Sequence, residues 1–565
     1  MSTTTTTTTT TGRTTPCPDG CYECLTDGPS FSAAAAERSW PSLADLSTEL
    51  LMLMFEQLIE VDRQTATKAR LVCRRFNDIA TPLVYRKVVL NKNVMCKDGE
   101  IRHHQAFNNI FRYTTHLTVP SDLDPYWARR ILERTQNLQE ITWRYVKINQ
   151  WEKWSWRPCH VLDMEIVKQN RLKLHIEGLP IDICGGDLQK LYLQSIPPSM
   201  LVSLKLGVPT PPLTTQLEAL KELLTLAHNL ETLHYQDRGQ GTHFVFSGNE
   251  RLPAFKELRL ESYDWNHDAH EVAAHWDFSR LESLELISMP TFSFLNSVSF
   301  PDFAGLETLR VEDFSLHNHY RREEANELLH TLVKSHINAL TTLDLRVHTS
   351  LFPIDAILAH ASSIHTLRLR DHTGFSDESL RVPTLSPADL STLATSLTHL
   401  HTLELDMDTH LVSTNAFLRS LSLFPKLTTL TLHMHTLVDP HSSPSPSSHP
   451  DNDKDKQLAY RIFYFLAQAR RQQTPQMPRS WKSITINVGG WQRVMVRRLS
   501  QAWKALNRRG VFAERCFVLT RVGGEEEYRT GEEFGGGLFL GGWDGGQGGE
   551  AGEEMMMDVD VGRNY

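Results

Sequence analysis

Long apolar runs are missing from this chain of 565 residues. A helix that crosses a bilayer needs about eighteen or more consecutive, predominantly apolar residues. The sequence offers none, so no membrane span is expected. The N-terminus opens on a threonine run, Thr3 to Thr11, where a secretory signal would carry an apolar core, and no such signal is expected. Cysteine is scarce: eight residues scattered along the chain do not make a disulfide framework. An excess of basic charge is missing too. Lys and Arg total 58 against 67 acidic residues, and Gly523 to Tyr565 holds eleven acids and two bases, the whole net charge of −9. Residues 1–522 therefore balance at 56 against 56, which leaves no electrostatic footprint for nucleic acid or an anionic membrane. Patterns of the G-x-S-x-G, H-E-x-x-H and P-loop kind are absent, so no catalytic residue, metal or cofactor is expected. These absences describe a soluble protein of the cytoplasm, the nucleus or both.

Composition divides what is present. Residues 1–39 form a Thr-rich arm with little to bury, and residues 523–565 a Gly-rich acidic tail; both are expected to be disordered. A third polar stretch, residues 437–457, reads as an exposed loop. Between them lie a compact segment at 40–90, a helical linker at 91–135, a repetitive region at 136–436 and a terminal cap at 458–522.

The repetitive region carries the pattern L-x-x-L-x-L. Clear copies begin at Leu230, Phe255, Leu281, Leu306, Leu340, Ile364, Leu400 and Leu427, spaced by 24 to 36 residues. Weaker copies start at Leu138, Leu188, Leu201 and Trp481. Alternation inside each copy predicts a half-buried strand. Between copies the period becomes helical: Ala325, Leu328, Leu329, Leu332 and Val333 make one apolar stripe, and Leu217–Leu226, Ile354–Ala361 and Ala388–Leu397 are of similar character. One strand and one helix per copy resembles leucine-rich repeats, which implies an α/β class and units stacked into a curved solenoid. The Asn or Cys that closes such repeats, eight positions after the first leucine, is replaced by Arg238, Tyr263, Met289, Phe314, His348, His372, Asp408 and His435. Either the turns are satisfied differently or the solenoid is irregular.

In residues 40–90, Ser47 is placed to cap a first helix, and Leu50 to Phe55 are six consecutive apolar residues. At about 3.6 residues per turn, six in a row cover the whole helix circumference. One face must meet its own domain and another a partner. A second helix is read through Ala69, Val72, Cys73, Phe76, Ile79 and Ala80, closed by Thr81-Pro82. This segment resembles an F-box domain. Leu46, Glu49, Leu50, Phe55 and Leu58 match the first part of the family pattern; Val72 to Phe76 and Pro82 to Tyr85 match the second. Ser47 stands where the family usually has proline. The resemblance implies a small all-helical module ahead of the repeats, docking on a Skp-type adaptor held by a cullin while the repeats present a protein substrate. The chain would be the non-catalytic, substrate-recognising subunit of an SCF-type ubiquitin ligase, contributing proximity. Leu46, Ser47, Leu50, Leu51, Phe55, Leu58, Val72 and Phe76 are the adaptor-facing or supporting residues it implies. The competing reading is an interaction scaffold with no part in ubiquitination.

Other constellations carry less. Cys17, Cys21 and Cys24 have the C-x3-C-x2-C spacing of a cluster-binding motif, but they sit in the low-complexity arm and their nearest histidine is His103. His433 and His435 share a strand face, with no third metal ligand evident. In neighbouring copies, Arg368 and Arg370 face Glu404, Asp406 and Asp408. These charges either pair across strands or present a surface that recognises charge in a substrate.

Overall fold

The computed structural model describes residues 43, 46–92, 94–146, 156–162, 172–180, 186–207, 217–237, 241–313, 321–373, 380–437, 453–472, 481–489, 515–521, 528–534 and 537–539. The arm at 1–39 with its three cysteines and most of the loop at 437–457 lie outside them. The chain divides into two compact units, residues 1–80 and residues 81–565.

The first unit is helical. Helix α1, Thr48–Val61, starts where Ser47 accepts a hydrogen bond from the Leu50 N–H at 3.3 Å. It stops at Asp62, whose carboxylate accepts from the N–H groups of Gln64 and Thr65 and so caps α2, Arg63–Ala69. Helix α3, Arg74–Arg86, follows a turn holding Leu71 and Val72. Two expectations change here. The second helix is really two, with Cys73 just ahead of α3 and its Sγ 3.4 Å from the Phe76 N–H. Pro82 does not close α3; the helix runs through it. The last residues of α3 belong to residues 81–565, where Tyr85 lies against the large core and its carbonyl accepts from Thr114 Oγ1 at 3.0 Å.

The second unit is one sheet with its helices. Its strands are β1 Lys87–Val89, β2 His116–Pro120, β3 Glu140–Arg144, β4 Lys173–Leu179, β5 Leu201–Leu206, β6 Thr232–Gln236, β7 Glu257–Glu261, β8 Ser283–Met289 and β9 Thr308–Asp313. They continue as β10 Thr342–Val347, β11 Thr366–Asp371, β12 Thr402–Asp406, β13 Thr429–Met434, β14 Ser483–Val488, β15 Arg515–Arg521, β16 Tyr528–Phe534 and β17 Gly537–Phe539. Strands β1 to β14 pair parallel, each with the next in sequence. From β14 to β17 the pairing is antiparallel. The architecture is thus α/β with a mainly parallel sheet.

The repeat pattern maps onto this sheet by register. The fourth positions, Leu233, Leu258, Leu284, Leu309, Leu343, Leu367, Leu403 and Leu430, lie in one fully buried row that continues to Ile484. Each such leucine contributes about 1.5–3 kcal/mol of burial. Just before the strands, one carbonyl per copy accepts two N–H groups of the next copy: Glu282 takes Glu307 and Thr308, Glu307 takes Thr341 and Thr342, Thr341 takes His365 and Thr366, and His365 takes His401 and Thr402. This forked rung fixes the register whatever the length of chain between copies.

Of the weak copies, those at Leu138, Leu201 and Trp481 are strands β3, β5 and β14, whereas the one at Leu188 lies in a helix, Gly186–Gln194. Its Leu188, Leu191 and Tyr192 also fit helical spacing, and so short an apolar run does not decide between the periods. The linker at 91–135 holds helices Lys97–Arg102, His104–Tyr113 and Pro125–Arg134, and also strand β2. The tail from 523 was expected without structure, yet it supplies β16 and β17. The cap helix, Lys454–Arg471, begins ahead of residue 458.

The missing Asn ladder is replaced by buried aspartates. Asp237, Asp313 and Asp371 fall seven positions after the first residue of their copies, one earlier than the family position. Asp313 accepts from the Thr291 N–H at 3.3 Å, and Asp371 from the N–H groups of Thr349 and Thr373 at 3.0 and 2.9 Å. Asp237 accepts from the Tyr235 hydroxyl, and Asp408 from the His410 N–H at 2.9 Å. At Asp313, Asp371 and Asp408 the turn backbone is thus satisfied by a carboxylate.

Candidate functional site

Two surfaces stand out, one in each unit. In the first, α1 sorts its six consecutive apolar residues by helical phase. Leu51 and Phe55, one turn apart, point inward; Leu51 is 1% exposed, and the Phe55 ring meets Phe76 edge-on at 5.4 Å. Leu50, Met52, Leu53 and Met54 face solvent, Leu53 at 59% exposure. Leu71 and Val72, in the turn before α3, are exposed as well. Arg75 anchors the approach to α1 by donating from Nη2 to the Leu46 carbonyl at 2.7 Å.

The residues singled out from the sequence therefore separate. Ser47, Leu50 and Val72 are exposed; Leu46, Leu58 and Phe76 are half-buried; Leu51 and Phe55 are interior supports. Met52, Leu53, Met54 and Leu71 are exposed apolar residues that the sequence reading did not single out. The six-residue run contained three of them. What it lacked was the helical phase that α1 takes once Leu51 and Phe55 are buried.

The second surface is the polar face of the sheet. Fifth positions of the copies alternate in sign along the register: Arg259, Glu285, Arg310, Asp344, Arg368 and Glu404. A cleft of about 130 Å³ opens over β9 to β12, lined by Arg310, Glu312, Asp344, Arg346, Arg368, Arg370 and Glu404. Arg368 reaches Asp344 at 3.2 Å on one side and Glu404 at 3.4 Å on the other. Arg370 donates from Nε to Asp406 at 3.0 Å, and Asp406 also accepts from the Asp371 N–H at 2.6 Å. His433 bonds Glu404 at 2.8 Å. The guanidiniums lie over the carboxylates: Arg310 and Arg368 are 36% and 42% exposed, Asp344 and Glu404 only 17% and 22%. Burial holds the Asp344 carboxyl above its usual range against the pull of Arg310 and Arg368.

Of the sequence-selected charges, Arg368, Arg370 and Glu404 meet in this cleft, with Asp406 buried beneath Arg370. Asp408 is placed apart, fully buried beyond β12, where it faces Arg381 at 3.5 Å and His435 at 3.8 Å. Arg310, Glu312, Asp344 and Arg346 were not singled out. Reading the fifth positions of all copies in order would have found Arg310 and Asp344. His433 faces Glu404 and Asn487, and no cluster of three metal-ligating side chains occurs among the described residues. Nor is any described helix long and apolar enough to cross a membrane.

No protein-family model matches this chain, and no curated protein does. Among solved structures, one match is the crystal structure of the Rad7 and Elc1 complex in yeast, at 16% identity over 68% of this chain and 92% of that chain, with a TM-score of 0.35. A likeness this loose carries neither fold nor function.

Proposed function

We propose that this chain is the substrate-recognising, non-catalytic subunit of an SCF-type ubiquitin ligase. Residues 40–90 dock on a Skp-type adaptor, and through it on a cullin, while the polar face of the sheet receives a protein substrate. The observation that carries the reading is the amount of exposed apolar surface on a small capped helical unit, from Leu50, Met52, Leu53 and Met54 on α1 and from Leu71 and Val72 in the turn before α3. Apolar surface of this kind is costly to leave in water and points to a contact. Its position within the residues that resemble an F-box gives the partner its identity. Ser47, Leu46 and Leu58 border the contact; Leu51, Phe55 and Phe76 support it from within. Arg368, Arg370, Glu404 and Asp406 belong to the substrate side.

Co-purification with the Skp-type adaptor tests the docking half, wild type beside Leu50→Glu/Leu53→Glu. Both side chains are exposed, so the variant should fold, and a carboxylate forced into a desolvated contact should abolish binding. Substituting Phe55 would test folding instead, because its ring is buried. Wild type that fails to bind the adaptor overturns the reading. Adaptor binding without any partner whose half-life lengthens on deletion of this chain would leave a scaffold in place of a ligase receptor.

A further inference from the structure

The alternation of charge does not carry over to the next row of the polar face. Two residues beyond the alternating row, Arg346 and Arg370 are register partners on β10 and β11, so two guanidinium-bearing side chains lie side by side. Like charges directly opposite one another destabilise a sheet. Burial already weighs against the charge on Arg346, and the charge of Arg370 adds to that. Arg346 pairs with Glu312 at 3.2 Å. Arg370, only 6% exposed, uses Nε on Asp406, while its Nη1 is buried without a hydrogen-bond partner among the described residues.

The neighbouring carboxylates do not fill that vacancy. Asp344 is shared between Arg310 and Arg368, at 3.5 and 3.2 Å, and Glu404 between Arg368 and His433. An arginine fork offers several N–H donors and no acceptor; four guanidiniums share the carboxylates of Glu312, Asp344 and Glu404 in the lining, with Asp406 beneath, and Nη1 of Arg370 is the donor left over. Both Arg346 and Arg370 line the cleft.

We propose that this cleft binds an oxyanion, the carboxylate or phosphate-ester group of a protein partner, with Arg346 and Nη1 of Arg370 as donors. Charge-assisted bonds from two guanidiniums suit such a group, and its negative charge relieves the repulsion between them. The inference deepens the receptor reading and rests on it for the partner; the oxyanion chemistry rests on the cleft.

Titration calorimetry of the full chain with inorganic phosphate and, separately, with acetate, both at constant ionic strength, provides the test. Wild type should bind phosphate saturably, and Arg346→Gln should weaken binding by about tenfold or more. Arg259→Gln, at a step where the signs alternate, should leave the affinity unchanged. Arg346→Lys keeps a charge opposite Glu312 but lacks the fork, and should also weaken phosphate binding should the Gln variant fail to fold. Binding of phosphate alone assigns a phosphate ester; binding of acetate as well assigns a carboxylate-tolerant site. Absence of saturable binding to either anion, or undiminished affinity in a folded Arg346 variant, overturns the proposal. The adaptor takes no part in the measurement, so its outcome is separable from that of the co-purification.

Discussion

Within residues 81–565 the repeat strands sort side chains by alternation: leucines at fourth and sixth positions are buried, and the residues between them carry the charges. Helix α1 sorts differently. Its apolar run supplies both the interior contact of Leu51 and Phe55 and the exposed group around Leu53. The same residue type thus has two meanings. In the strands leucine reports packing, whereas in α1 two of the four leucines, Leu50 and Leu53, are exposed. Hydrophobicity predicts burial where its period matches the element, and an unfilled contact where it exceeds what the element can bury.

A pair of truncations breaks or upholds this contrast with the largest effect. Leu403→Ala, in the fully buried row, should cost about 2–5 kcal/mol in urea denaturation. Leu53→Ala should cost no more than about 0.5 kcal/mol while weakening adaptor binding. Equal losses of stability from the two would erase the distinction.

A second test sharpens the sheet side through a buried polar group. Burial, with His372 alongside, pushes His348 down to about 4. An unfolded histidine titrates near ~6.5. Between those values the unfolded chain holds a proton that the folded chain lacks, so stability falls as pH drops from about 6.5 towards 4. His348→Asn should therefore lose less stability than wild type between pH 7 and pH 5, read from denaturant midpoints at each. An unchanged difference would show that His348 is not the titrating group.

The smallest effect belongs to α1. Ser47→Ala removes an exposed cap and should destabilise the helical unit by about 1 kcal/mol, read as earlier loss of helical signal on heating. A null result would place the start of α1 under packing control instead of capping.

Much of the sheet was legible because a period of two is local: eight clear copies suffice to place β6 to β13. Strands β2 and β4 escaped because His116–Pro120 and Lys173–Leu179 lack the leading L-x-x-L. The aspartates at 237, 313 and 371 escaped because they sit one residue before the position inspected, and because a buried carboxylate is recognisable only with its donors in view. In α1 the residue types pointed to a contact surface, but which side chains face out depends on phase. The step at Arg346 and Arg370 needed the register, since a distance of 24 residues in sequence becomes adjacency only through β10 and β11.

The forked rungs ahead of the strands have a further consequence. Glu307 and Thr341 are separated by 34 residues and Thr341 and His365 by 24, yet each step is joined by the same two hydrogen bonds. The stack counts in rungs, and the chain between rungs is free to vary. Because closing a longer loop adds only slowly to the entropic cost, an insertion outside the rungs should pass through the fold with little penalty. Such a framework can acquire new loops at its strand ends over evolutionary time, or accept them by grafting, without renegotiating the alignment of a single strand.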